Sequence, residues 1–136
     1  MDVSEHVALV RRFYAAGPAD DDSSRAQFAV PEVVWHVPGA SHVSGRYEGY
    51  DEVFQTLGER MQPLDAWTID VGEVMGNEDM VVAIVDLVAM RGAHRVESRG
   101  AHVFRFAPDG RIAEVWGFVG EQALLDDLFE DGALGE

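Results

Sequence analysis

The sequence predicts an α+β domain in which helices cover one face of a curved antiparallel sheet. Three observations carry that prediction. Helical spacing of apolar residues recurs before Pro63, alternation takes over from Trp67 onward, and tight turns join the later strands without room for a crossover helix. With 136 residues, 47% of them hydrophobic, the chain can fill one core, so residues 1–136 are read as a single domain.

Ser4 to Ala16 places Val7, Val10, Phe13 and Tyr14 on one helical face, with Ser4 as the cap and Gly17-Pro18 as the stop. Ser23 or Ser24 caps a short second helix through Phe28, which Pro31 ends. β-branched and aromatic residues make Val33 to Val37 a strand closed by Pro38-Gly39, and Ser44 to Tyr47 a second short one. Val53, Phe54, Leu57 and Met61 return the pattern to a helix over Tyr50 to Met61. Trp67 to Met75, Met80 to Met90, Arg95 to Phe106 and Ile112 to Val119 then read as consecutive strands, and Glu121 to Phe129 as a closing helix. A sheet bent around helices in this order leaves a conical cavity.

Composition narrows the functional classes. Acidic residues number 25 against 10 basic ones, all arginine, for a net charge of -15, which disfavours nucleic acid and membrane surfaces as partners. Asp20-Asp21-Asp22 reads as a solvated loop. The chain has no cysteine and no lysine, so thiol nucleophiles and Schiff bases are excluded, and histidine, tyrosine and carboxylate are left to carry any reaction. The 5 histidines show no short paired spacing, and there is no glycine-rich phosphate loop or nucleophile elbow, so no metal and no cofactor are expected. Met80 to Met90, the longest apolar run, is about half of what a bilayer span needs, and the expected location is cytoplasmic.

Val34-Trp35-His36-Val37-Pro38-Gly39, then Ser44-Gly45-Arg46-Tyr47-Glu48-Gly49, resembles the SnoaL-like branch of the NTF2-like superfamily, which includes ketosteroid isomerase and polyketide cyclases. Phe104-Arg105-Phe106, Asp109-Gly110-Arg111-Ile112, Glu114 and Trp116 extend the resemblance over nearly the whole chain. It implies the NTF2-like cone, a curved antiparallel sheet wrapped around N-terminal helices. In the ketosteroid isomerase register, the oxyanion-hole tyrosine lands on Tyr14, the catalytic base on His36 and the neutral carboxylic acid on His102. Anchored on Pro38 instead, the base position falls on Val37. SnoaL-type cyclases keep an aspartate beyond the last strand, where this chain has Gly120 and Glu121.

The residues also speak for themselves. On the strand Arg95 to Phe106 the charged residues occupy odd positions, so His102 faces the interior, as either a satisfied core imidazole or a pocket group. Trp35 and His36 point to opposite faces, and the family register puts His36 inside, as a proton-transfer group or as a partner of a water or carbonyl. Asp86 shares a face with Val82, Ile84, Val88 and Met90, where an unpaired charge is costly. It is read as a buried general acid or base, or equally as a sheet-face or subunit-interface carboxylate paired with an arginine such as Arg105 or Arg91. Tyr14, His36, His102 and Asp86 are therefore the candidate catalytic residues, and Phe13, Val34, Phe54, Met61, Met90, Phe104, Trp116 and Phe118 the candidate ligand contacts.

These residues suit a cofactor-independent acid/base enzyme of the isomerase, cyclase or epoxide-opening type, acting on a small hydrophobic molecule such as a polyketide- or steroid-like compound. The alternative is a non-catalytic binding or accessory protein using the same cavity. A homodimer through the outer sheet face is expected, with Trp35, Trp67, Val85 and Leu87 as contacts.

Overall fold

The computed structural model describes residues 2–16 and 21–130. Helix α1 (Val3–Ala15) starts two residues earlier than Ser4 capping would allow, because Asp2 is the cap: its carboxylate accepts from Glu5 N, and the Glu5 carboxylate accepts from Asp2 N. Gly17-Pro18 and Asp20 lie outside the described residues. Helix α2 (Asp22–Ala26) is likewise capped by an aspartate, Asp21, which accepts from Ser24 N at 2.8 Å.

Strand β1 (Ala29–Val37) begins four residues before the expected Val33 and runs through Pro31. The β1 pairing with β6 is irregular between Ala29 and Val34, and β2 pairs only with residues 34–37, so the missing Pro31 N–H interrupts no regular ladder. Strand β2 (Gly45–Glu48) is followed by a π-helix, Asp51–Thr56, that runs into α3 (Leu57–Arg60). Strands β3 (Ala66–Gly76), β4 (Met80–Arg91), β5 (His94–Phe106) and β6 (Ile112–Val119) precede α4 (Gln122–Phe129), within a residue or two of the expected strands and closing helix.

The strands form one sheet in the order β2-β1-β6-β5-β4-β3. Every pairing is antiparallel except β1 with β6, which the long connection through β2 to β5 makes parallel. α1 lies across β3 and β4 on the concave face, where its Leu9 and Val10 meet Val81, Ala83, Val85, Phe104 and Val115. A second apolar cluster forms at the other end, where Leu125, Leu128 and Phe129 of α4 cover Val43, Leu87, Ala89 and Val96. Arg91 fastens α4 by donating to the Leu128 and Phe129 carbonyls at 3.0 and 2.9 Å. The space between these two clusters is the cavity described next.

Candidate ligand-binding cavity

The cavity measures about 520 Å³ and opens between the concave sheet, α1, α3, the loop after β1, and α4. Phe13 and Tyr14 enter from the last turn of α1, Trp35 and Val37 from β1, Ile69 from β3 and His102 from β5. The lining is aromatic and aliphatic apart from four polar side chains with N or O groups on the ring or tip that matter here: Tyr14, His102, Ser41 and Gln122. Tyr14 and His102 meet in a short hydrogen bond between the phenolic oxygen and Nδ1. Trp35 stands edge-on to the same imidazole, with ring centroids 5.5 Å apart.

Both members of this pair are neutral. Burial lowers the His102 pKa from 6.5 to about 4, and burial raises that of Tyr14 above its ordinary value, since neither charged form is solvated there. Among the described residues no other group hydrogen-bonds His102, so Nε2 is left to the cavity. Two proton arrangements are open. If Tyr14 donates to Nδ1, the ring proton sits on Nε2; if Nδ1–H donates to the phenolic oxygen, the hydroxyl keeps its proton and can turn it toward another acceptor. Either arrangement leaves one donor polarised by its neighbour and available to an acceptor atom on a ligand.

The other two proposed catalytic residues lie elsewhere. His36 is paired in register with Trp116 and Arg46, one step out of phase with the cavity-lining Trp35, and so projects from the convex face. There its Nε2–H donates to Glu114 at 2.6 Å and its ring stacks on Trp116, with centroids 5.4 Å apart. The expectation of His36 inside and Trp35 outside is therefore reversed; the Pro38 anchor, which selects Val37, has the phase that reaches the cavity. Asp86 also projects from the convex face: its side chain is 67% exposed, lies opposite Asp70 and Arg99, and pairs with Arg99 at 3.6 Å. Water solvates that charge, so neither burial nor Arg105 or Arg91 is needed.

Of the expected ligand contacts, Phe13, Met61 and Phe118 border the cavity. Phe118 does so from a strand position in phase with Trp116, and is 55% exposed. Val34, Met90 and Trp116 are corrected to the convex phase, because the register couples Val34 to Glu114, Met90 to Arg95 and Trp116 to Val103. Phe104 is fully buried beneath the cavity, in the core under α1. Phe54 packs on Tyr50 and under the Arg25 guanidinium, away from the cavity. Glu121 is exposed at the start of α4, its backbone N bonded to Ser98 Oγ, and does not line the cavity. The residues expected at a dimer face do not lie on the outer sheet face: Val85 and Leu87 are buried on the concave side, and Trp35 and Trp67 line the cavity.

Sequence reasoning missed the wall made by the loop after β1 and by α4. Pro38, Ser41 and Val43 face Gln122, Leu125 and Phe129 across the wide end of the cavity. The loop is tied to the helix by Ala40 N donating to Asp126 at 3.0 Å, and by His42 N donating to Glu130 at 2.9 Å. Gly39, at φ +100°, turns the chain so closely over α4 that a Cβ would lie 2.3 Å from both Gln122 and Asp126. Gly117 has a comparable role on β6: a Cβ there would come 3.2 Å from Pro38 and 3.5 Å from the His102 ring, narrowing access to the imidazole. Among the described residues no cluster of three or more histidine or carboxylate side chains is placed to hold a metal ion. No helix among them is long and apolar enough to cross a membrane.

A curved open sheet with helices in its concavity and a buried cavity at the wide end is the architecture of the NTF2-like cone. A family model described as a SnoaL-like domain matches residues 10–115, and the chain belongs to that family. The uncharacterized protein Rv0034 of Mycobacterium tuberculosis (strain ATCC 25618 / H37Rv) is 30% identical over 123 residues, covering 89% of this chain and 93% of that one. Among solved structures, Bal32a from a soil-derived mobile gene cassette superposes with a TM-score of 0.83 at 23% identity, covering 94% of this chain and 98% of its own. An NTF2-like protein from Burkholderia thailandensis E264 gives 0.79 at 20% identity, with 96% and 99% covered. The SnoaL-like family and the cone fold both fit a ligand-binding or isomerase- and cyclase-type protein that needs no cofactor.

Proposed function

We propose that the protein binds a small, neutral, largely apolar molecule that places a hydrogen-bond acceptor, such as a ring carbonyl, against the Tyr14–His102 pair. The observation that carries this reading is the lining of the cavity: Tyr14 and His102 are its only titratable side chains among the described residues, and both are neutral. A charged ligand would be buried without a counter-charge, whereas a carbonyl meets a donor in an otherwise apolar setting. A volume of about 520 Å³ suits a ligand of two to four fused or linked rings, the size of a polyketide- or steroid-like compound.

Electrophilic activation is the chemistry this site supports. A donor held in a water-poor pocket stabilises negative charge developing on a carbonyl oxygen, which eases enolisation, ring closure or epoxide opening. Proton abstraction finds less support, because His36 and Asp86 lie on the far face and a histidine with a pKa of about 4 is a weak base. Binding with carbonyl polarisation is therefore the reading we put first; an isomerase or cyclase that draws its base from the substrate or from water is second, favoured by the same buried pair. We further propose that two copies pair in the cytoplasm through the convex face, where Val82, Ile84, Val103 and Trp116 are half-buried and Phe118 is 55% exposed. Sedimentation equilibrium showing only monomer at micromolar concentration would contradict the dimer.

Trp35 and Trp67 in the wall give a direct assay through quenching of their fluorescence by an absorbing ligand. Flavone, a flat molecule with one ring carbonyl, is expected to bind, and flavan, which lacks the carbonyl, to displace it only at about tenfold higher concentration or more. Equal displacement by flavan would show that the Tyr14–His102 donor is not used.

A further inference from the structure

Glycines within the strands of this sheet have different causes. At Gly76 and Gly100 a Cβ would lie 2.2 Å from the Met80 carbonyl oxygen and 2.4 Å from that of Phe118, so backbone crowding forbids a side chain. Gly117, within β6, is under no such constraint. Its φ is not positive, the β5–β6 ladder passes through it without a bulge, and the backbone atom nearest to a Cβ is the His36 carbonyl oxygen at 3.5 Å. A glycine in a strand interior weakens the strand for want of a packed side chain, and where neither bulge nor backbone demands it, it marks the close approach of another molecule.

The space kept clear lies beside the imidazole of His102. In the sheet His102 is paired with Ala83 on one side and Gly117 on the other; Ala83 is fully buried, and Gly117 borders the cavity. A Cβ on Gly117 would come 3.5 Å from His102 Cδ2 and 3.2 Å from Pro38 Cδ. Cδ2 is next to Nε2 and across the ring from Nδ1, which Tyr14 occupies, so the side of the imidazole turned to Gly117 is the side of its free nitrogen. Pro38 Cδ and His102 Cδ2 stand no more than about 7 Å apart, since each lies within 3.5 Å of that one point, and this is twice the contact distance between carbons. One layer of atoms fits between them. We infer that Gly117 is a specificity determinant: it holds open a slot one aromatic ring thick, through which the ligand's carbonyl reaches His102 Nε2. The ligand class is then a flat, conjugated ring ketone, because a saturated ring is thickened by its axial hydrogens and is held off. This rests on the reading of the Tyr14–His102 pair as the acceptor site, and it adds the shape of the group that the site admits.

The experiment titrates the intact protein and two variants calorimetrically with flavone, with flavanone, which keeps the carbonyl on a puckered saturated ring, and with flavan. The wild-type protein is expected to bind flavone about tenfold more tightly than flavanone. Gly117→Ala should lose that preference, flavone falling to the level of flavan, while flavan itself binds as before and so shows that the variant is folded with its cavity intact. Pro38→Ala, which removes the opposite wall of the slot, should instead bring flavanone to within about twofold of flavone. If flavone and flavanone bind alike in the wild-type protein and both exceed flavan, the slot is overturned and the Tyr14–His102 reading stands. Survival of the preference in Gly117→Ala, or an equal loss of flavan and flavone there, overturns the slot in the same way. If flavone does not exceed flavan in the wild-type protein, the reading beneath it falls too.

Discussion

The two faces of the sheet treat polar groups in opposite ways. On the concave face Tyr14 and His102 are buried, neutral and bonded to each other within an aromatic wall. On the convex face His36, Glu114 and Arg105 form a solvated network, and Asp86 pairs with Arg99 beside Asp70. One strand carries both environments in adjacent residues, as Trp35 and His36 show. Strand phase, rather than residue type, decides which titratable group can meet a ligand.

The largest expected contrast is in stability. Phe104→Ala, which empties a fully buried position on the concave side, should cost about 3–5 kcal/mol in urea unfolding. Asp86→Ala on the exposed side should stay within about 0.5 kcal/mol. A comparable loss from both would show that the convex face is as tightly packed as the core.

Acid should separate the faces next. His102 has a folded pKa of about 4 against about 6.5 unfolded, so between those values the unfolded chain binds a proton that the folded chain refuses. Stability from this group is full above pH ~6.5 and declines as pH falls toward ~4, by up to about 3 kcal/mol. His102→Gln should flatten the unfolding free energy over that window. An NMR titration in which His102 charges near 6.5 would refute the burial argument.

Glu114 gives a smaller effect of different position. The hydrogen bond from His36 holds its carboxyl below the usual carboxylate value, against a partial opposing effect of desolvation and with help from Arg105. Its contribution is present above the unfolded carboxylate pKa and disappears as pH falls through the lowered folded value. Glu114→Gln should therefore cost under about 1 kcal/mol at neutral pH and nothing once that carboxyl is protonated. Unfolding curves at pH 7 and pH 2.5 would show a difference between variant and parent only at the higher pH.

The fold was largely legible in the sequence because alternation and turn residues mark the later strands, and β5 states its own phase through Arg95, Glu97, Arg99 and Arg105. His102 was placed inside on that ground, and it lines the cavity. Strand β4 is less legible, since both of its faces are apolar and Asp86 alone distinguishes them. Taken as an anomaly in a buried row, Asp86 inverts the phase; taken as the marker of the solvent face, opposite Arg99, it gives the observed one. On β1 the row that faces inside is Val33, Trp35 and Val37, whereas the ketosteroid isomerase register points to the opposite phase, that of His36. The wall formed by residues 38–43 and α4 depends on contacts more than 80 residues apart, such as Ala40 with Asp126, and no local pattern encodes them.

The division of roles between the faces is tested most directly by flavone binding to two single variants. His102→Leu should weaken binding about tenfold or more, and His36→Ala should leave it within about twofold, because only His102 reaches the cavity. Weakened binding in His36→Ala with unchanged binding in His102→Leu would contradict the account.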